Sequence, residues 1–289
     1  MKSILTLILI LLIVSCSGTK KIIENQHKPE EETVKIPQIP ELPKPSILIE
    51  ETNEDIINEP KVIEEGIIND QETTLEYFDH SLWKVMLNHY VDTNGRVDYN
   101  GLKNERSKLE AYVETLKASM PTDEWPKADK LAYWINAYNA LTVDLILRNY
   151  PLKSIKDIKE PWDQRLWKFG DKWLNLNDIE HNILRKMNEP RIHFAIVCAS
   201  ESCPKLNNMP FYASSLDGDL TQATKAFLSD NSKNEISENT IKLSKIFKWF
   251  AKDFKTNGSL IDFLNQYTDI NISKHAKKSF KDYNWDLNE

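Results

Sequence analysis

The sequence predicts an α+β fold: a helix-rich single domain around a small, mainly central β-sheet, preceded by a disordered linker. Three observations point there. Every Phe, Trp and Tyr lies at or beyond Tyr77, so only that part of the chain can build an aromatic core. Apolar residues there recur mostly at three- and four-residue steps, the helical period. Short alternating runs bounded by turn residues supply a few strands between the helices. Roughly 215 residues suffice for one sizeable core.

The N-terminus reads as an export signal. Met1-Lys2-Ser3 is positively charged, and Ile4 to Val14 is apolar except for Thr6. A bilayer-spanning helix needs about 20 residues, so this shorter run suits the apolar core of a signal peptide. Ile13-Val14-Ser15-Cys16 follows. It resembles the lipobox of bacterial lipoproteins, whose cysteine is acylated and becomes the first residue of the mature chain. The resemblance implies a signal peptide over 1–15, lipid of the palmitate type on Cys16, and a partner that is the membrane itself. The expected location is the cell envelope, periplasmic or surface-exposed.

Residues 16–73 are expected to be an acidic, proline-rich tether. Residues 24–72 carry 14 acidic side chains against 4 lysines and hold 6 of the 13 prolines. Such a segment cannot bury enough apolar surface to offset the entropy of ordering it, and Pro37, Pro40, Pro43 and Pro45 favour extended geometry. The whole chain carries −7. The tether accounts for that excess and leaves the domain near neutral, without the clustered cations that nucleic acid requires.

From residue 74 to 289 the elements follow in order. Glu72 to Tyr90 reads as a helix, with Leu75, Phe78, Leu82, Val85, Met86 and His89 inward. Asp92-Thr93-Asn94-Gly95 is a turn, Val97-Asp98-Tyr99 is extended, and Asn104 to Met120 is a second helix. Lys127 to Tyr150 is the clearest helix, closed by Pro151, and Asn139 falls on its apolar face. A buried amide there either satisfies backbone or positions a functional group. Arg165 to Leu176 is a hairpin around Gly170-Asp171, with Trp167 and Trp173 packing across it. Asn177 is expected to cap a helix from Asp178 to Met187. Arg191 to Cys198 alternates with both faces apolar and reads as an interior strand. A helix from Leu216 to Leu228, a hairpin through Ile236 and Ile241-Lys242-Leu243, and helices near Phe247–Phe254 and Ser259–Tyr267 complete the chain.

With Cys16 assigned to lipid, Cys198 and Cys203 remain. Four readings compete for them. A catalytic thiol needs a histidine or a positive dipole to ionise it. His181 is the first choice as base, because a strand would point His193 and Cys198 to opposite faces. A Cys198–Cys203 disulfide suits an exported protein. His181, His193, Cys198 and Cys203 have ligand types that suit zinc, at spacings unlike common zinc motifs. Cysteine is also buried as a small apolar residue. Outside this group, His80 and His275 look solvated and His89 looks like a core residue, while the eight tryptophans suggest either a sugar-stacking platform or, for most of them, core packing.

At these residues the chain resembles the DUF547 family, a domain of unknown function found in bacteria and plants. The matching stretches are Leu131 to Leu141, Tyr150 to Ile158, Leu176 to Arg185, Arg191 to Pro204 and Leu243 to Phe250. They are densest over 124–230 and imply a domain spanning most of 75–289. The resemblance supports pairing the Glu180-His181 helix with the cysteine segment, and it implies no activity.

The leading expectation is a thiol-dependent hydrolase or acyltransferase. Cys198 would be nucleophile, His181 base, and Glu180 or Asn139 an orienting group. Asn136, His193, Ser200 and Cys203 are candidate binding residues. No cofactor is expected. The alternatives are a non-catalytic interaction lipoprotein with a Cys198–Cys203 disulfide, and a metal-binding domain. A bond between Cys198 and Cys203 would remove the catalytic reading.

Overall fold

The structure is a computed structural model that describes residues 76–289. The expected signal peptide, Cys16, the expected acidic tether and the first part of the expected Glu72–Tyr90 helix lie outside the described residues.

The domain is helix-rich with two small sheets, as the α+β reading expects. Its centre is α4, Lys127–Asn149, in which every residue from Leu131 to Leu147 is buried. A helix apolar all round must be enclosed on all sides. Its neighbours include α2 (Tyr99–Asn104) and α3 (Arg106–Ala118), on which α1 (Ser81–Tyr90) packs in turn, and the turns between residues 178 and 187. Tyr150 is extended before Pro151, as the residue preceding a proline prefers, and α4 stops there.

The N-terminal helix differs from its expected form. It starts at Ser81, whose N–H and hydroxyl both donate to the Asp79 carboxylate. The buried face is Trp83, Met86, Leu87 and Tyr90, which leaves Leu82, Val85 and His89 outside. His80, expected to be solvated, is buried, and its Nδ1 lies 2.7 Å from the Tyr112 hydroxyl. The second expected helix begins earlier, at Tyr99, and is broken between Asn104 and Arg106.

The hairpin β1 (Trp167–Phe169) and β2 (Lys172–Leu174) turns at Gly170, whose φ of 55° favours glycine. Its register pairs Trp167 with Leu174 and Lys168 with Trp173, so Trp167 is buried while Trp173 faces out. After α5 (Leu216–Ser229), β3 (Glu235–Ile236) pairs antiparallel with β4 (Thr240–Leu243). A strand that the periodicity missed, β5 (Lys277–Phe280), joins β4 in parallel. The short helices α6 (Ile246–Trp249) and α7 (Leu260–Asn265) pack a second apolar cluster around Phe194, Phe247 and Phe254.

The expected interior strand over Arg191–Cys198 does not form. Pro190–Phe194 is a 3-10 turn that opens on a Glu189 side-chain cap, and the chain beyond it joins no sheet. Residues of both parities are buried because α4 and the Phe cluster enclose the segment from both sides. Its backbone is satisfied by a side chain instead of a ladder. The Asn139 amide donates to the Ala195 carbonyl at 2.9 Å and accepts from the Val197 N–H at 3.0 Å. Asn136, one turn earlier, does the same for Phe211, at 2.7 and 3.0 Å.

Candidate functional site

A cleft of about 450 Å³ opens beside this segment. Part of its lining is aromatic: Trp249, Phe250, Tyr283 and Trp285, joined by Trp162. Tyr138 from α4 lines it too, with Glu180, His181, Arg185 and His193, and Phe250 packs directly on His193 and Arg185. Cys198 and Cys203 line it as well.

The polar floor is built on an irregular helix. Residues Asp178–Ile183 form a π-helical stretch and Leu184–Met187 a 3-10 turn. The start is capped by Asn175, whose side-chain oxygen accepts from the Asp178 N–H at 2.7 Å, whereas Asn177 reaches across to Asp163. The π-helical stretch and the turn after it carry Glu180, His181 and Arg185, all of which line the cleft. Such wide turns recur at functional sites.

Arg185 organises the floor. Its Nε and Nη2 donate to the two oxygens of Asp253, at 2.6 and 2.8 Å. The same Asp253 lies 2.8 Å from His193 Nε2. Arg185 Nη1 lies 3.0 Å from His181 Nδ1. Since a guanidinium only donates, His181 Nδ1 must accept, and a neutral His181 then carries its proton on Nε2. Burial of Asp253 works against ionisation, but the hydrogen bonds from His193 and Arg185 outweigh it and hold the carboxyl well below the usual range. Burial, and then the Arg185 charge, lowers His181, while burial lowers His193 against the pull of Asp253. The His193 ring stacks on Phe250 with centroids 4.0 Å apart. Both imidazoles are thus held neutral at neutral pH.

Glu180 is the exception among the carboxyls. It is buried, it accepts from the Tyr138 hydroxyl at 3.4 Å, and burial pushes it up to about 7 against the pull of Arg185. It is therefore an acid poised to hold or release a proton at neutral pH.

The two cysteines form a disulfide, Cys198–Cys203, across the loop after Ala195. A sulfur in a disulfide has no thiolate with which to attack, so Cys198 is not a nucleophile in this structure. His181 does not stand as its base either, because its acceptor nitrogen is occupied by Arg185. Asn139 is absent from the cleft and clamps backbone, as does Asn136. Ser200 is buried behind the disulfide, with its Oγ 3.2 Å from Cys198 Sγ. His193 and Cys198, which strand geometry would have separated, line the same cleft because the segment is not a strand. For a metal, both candidate sulfurs are consumed. Among the described residues no group of three or more His, Cys, Asp and Glu side chains is placed to hold an ion.

Sequence reasoning did not single out Arg185, Asp253 or Tyr283, and it set Trp249 and Trp285 among tryptophans better read as core than as a stacking platform. Arg185 and Trp249 fall inside stretches that carry the family resemblance. Asp253 and Tyr283 stand far from the cysteine segment in sequence and have no local signal. Tyr283 and Trp285 arrive on the C-terminal segment, which is tied down by a bridge between Ser200 and Leu287 and by the Glu201 N–H on the Asp286 carbonyl at 2.8 Å.

No curated protein and no solved structure matches this chain. Residues 122–228, which include α4, the Glu180–Arg185 floor and the disulfide loop, match the family described as "Protein of unknown function, DUF547".

Proposed function

We propose that the protein is a lipid-anchored component of the cell envelope whose domain binds a ligand in the aromatic cleft, with the Cys198–Cys203 loop closed by its disulfide. The observation that carries this reading is the cleft itself: an aromatic wall packed beside a hydrogen-bonded polar floor, with both sulfurs bonded to one another. Concave, mainly aromatic sites with a few converging polar groups are the usual form of small-ligand sites. Glu180 apart, which burial holds near half-protonated at neutral pH, the floor adds little net charge, because Arg185 is neutralised by Asp253 and both histidines are neutral. A strongly ionic ligand gains little there. Anchoring rests on the Ile13-Val14-Ser15-Cys16 pattern.

Tryptophan fluorescence tests the cleft. Envelope peptides, muropeptides and neutral lipids are titrated against the oxidised protein. A saturable change that Trp249→Ala abolishes supports binding, and turnover of any of them with the disulfide intact overturns the non-catalytic reading. For the anchor, Cys16→Ala is expected to release the protein from the membrane fraction. Unchanged fractionation, with no lipid on the unsubstituted protein by mass spectrometry, refutes it.

A further inference from the structure

We propose that the Cys198–Cys203 disulfide is redox-active: a dithiol donor reduces it from the cleft, and the reduced pair presents Cys198 as a stabilised thiolate. This goes beyond ligand binding and does not depend on it.

The geometry around the sulfurs carries the inference. Cys203 Sγ receives the Cys198 backbone N–H at 2.8 Å and the Tyr283 hydroxyl at 3.4 Å. Cys198 Sγ has the Ser200 hydroxyl and the Tyr283 hydroxyl each at 3.2 Å. A disulfide sulfur is nearly uncharged and a weak acceptor, and needs no such company. A thiolate carries a full charge and makes the stronger, charge-assisted hydrogen bonds. The donors therefore converge where charge appears only after the S–S bond opens. Tyr283 lies between the two sulfurs, and its single proton can turn to whichever bears the charge. Burial pushes that phenol up to about 12, so it remains a donor at neutral pH.

The donors are also held in place without the disulfide. Ala199 has φ of 54°, a conformation that a residue with a Cβ seldom adopts. It is retained beside Ser200, which bridges to Leu287, and the Asn288 N–H donates to the Ala199 carbonyl. Asn284 N–H on Ser202 Oγ at 2.8 Å ties the Tyr283 segment to the same loop.

Access sets the direction of the exchange. Cys198 is partly exposed and Cys203 is buried, so the donor thiolate attacks Cys198 Sγ. The S–S electron pair leaves on Cys203, which is received by the Cys198 N–H. The second thiol of the donor, after losing its proton, then attacks the donor sulfur of the mixed disulfide. Cys198 departs as a thiolate received by Ser200 and Tyr283. The donor is oxidised to its own disulfide, the protein gains two electrons, and the two donor protons pass to solvent or to Cys203.

The test uses the full chain with dithiothreitol as donor and iodoacetamide as probe, read by mass spectrometry. Millimolar dithiothreitol is expected to reduce the folded protein with its helical circular dichroism unchanged. Cys198 is then expected to alkylate at pH 7 about tenfold faster than glutathione. Ser200→Ala and Tyr283→Phe should each slow it several-fold, with Tyr283→Phe the more severe. Cys203→Ser leaves Cys198 free without any reductant, and should alkylate as fast as the reduced protein. Reduction only after urea unfolding, or alkylation no faster than glutathione in both the reduced protein and Cys203→Ser, overturns the proposal.

Discussion

Asp253 accepts His193 Nε2 at 2.8 Å from a turn sixty residues further along the chain, and in the same plane of contacts receives two bonds from Arg185. One carboxylate thus fixes an imidazole, a guanidinium and, through the guanidinium, a second imidazole. Asp253→Asn keeps the shape and removes the charge. It is expected to cost about 3 kcal/mol, because it leaves a part-buried Arg185 without its counter-ion. Urea unfolding at pH 7 measures it, and a change near zero would show that the network adds nothing to stability.

The protonation pattern follows from the same contacts. His181 and His193 are expected as Nε2–H tautomers at pH 7, readable in two-bond nitrogen–proton correlation spectra. Arg185→Met removes the donor to His181 Nδ1, and should let His181 sample both tautomers while His193 stays as it is.

Glu180 and His80 set opposing pH dependences. Burial lowers His80 from 6.5 to about 4, so the unfolded chain binds a proton in that window that the folded one does not. Stability from His80 is present above pH 6.5 and is lost as pH falls toward 4, by about 3 kcal/mol in all. Burial raises Glu180 from 4.5 to about 7, so here the folded state holds the extra proton. Its contribution is present below pH 4.5 and is lost as pH rises through 7, again by about 3 kcal/mol. Glu180→Gln should therefore raise the urea midpoint at pH 8 and steepen the loss of stability between pH 6.5 and 4. Parallel profiles for the two proteins would refute the assignment.

Asn139→Leu should cost about 2–4 kcal/mol, since it strands the Val197 N–H and the Ala195 carbonyl away from water. Amide exchange of Val197 offers a local check: its protection should fall more than that of the α4 amides. Asn136→Leu should act likewise at Phe211.

The long helices were legible in the sequence, and α4 most of all, because burial on every side leaves little ambiguity over twenty residues. The segment 191–198 was not. Alternation of Ile192, Phe194, Ile196 and Cys198 signals burial, and a strand is only the commonest way to satisfy the backbone of a buried run. Here Asn139 of a neighbouring helix supplies that satisfaction at Ala195 and Val197, which no local period records. The site was legible in part. Glu180, His181, His193 and the two cysteines share the cleft, and each stood out by residue type. Arg185 and Asp253 look like ordinary surface charges in sequence. Their meeting is decided by tertiary packing, as is the side of α1 that turns inward once Asp79 has fixed where that helix begins.

Tyr283 and Trp285 give the site an order of assembly. Trp249, Phe250, Tyr283 and Trp285, with the Asp253 carboxylate of the floor, are all translated after the sulfur loop, and the segment matched over 122–228 contains none of them. Until those residues are made, the cavity lacks most of its aromatic lining and the Tyr283 hydroxyl that meets both sulfurs. The pocket is complete only once the C-terminal tail has been made, and a fragment bounded by the recognisable motif would hold Glu180, His181, Arg185, His193 and the two sulfurs with neither Asp253 nor the Trp249–Trp285 wall.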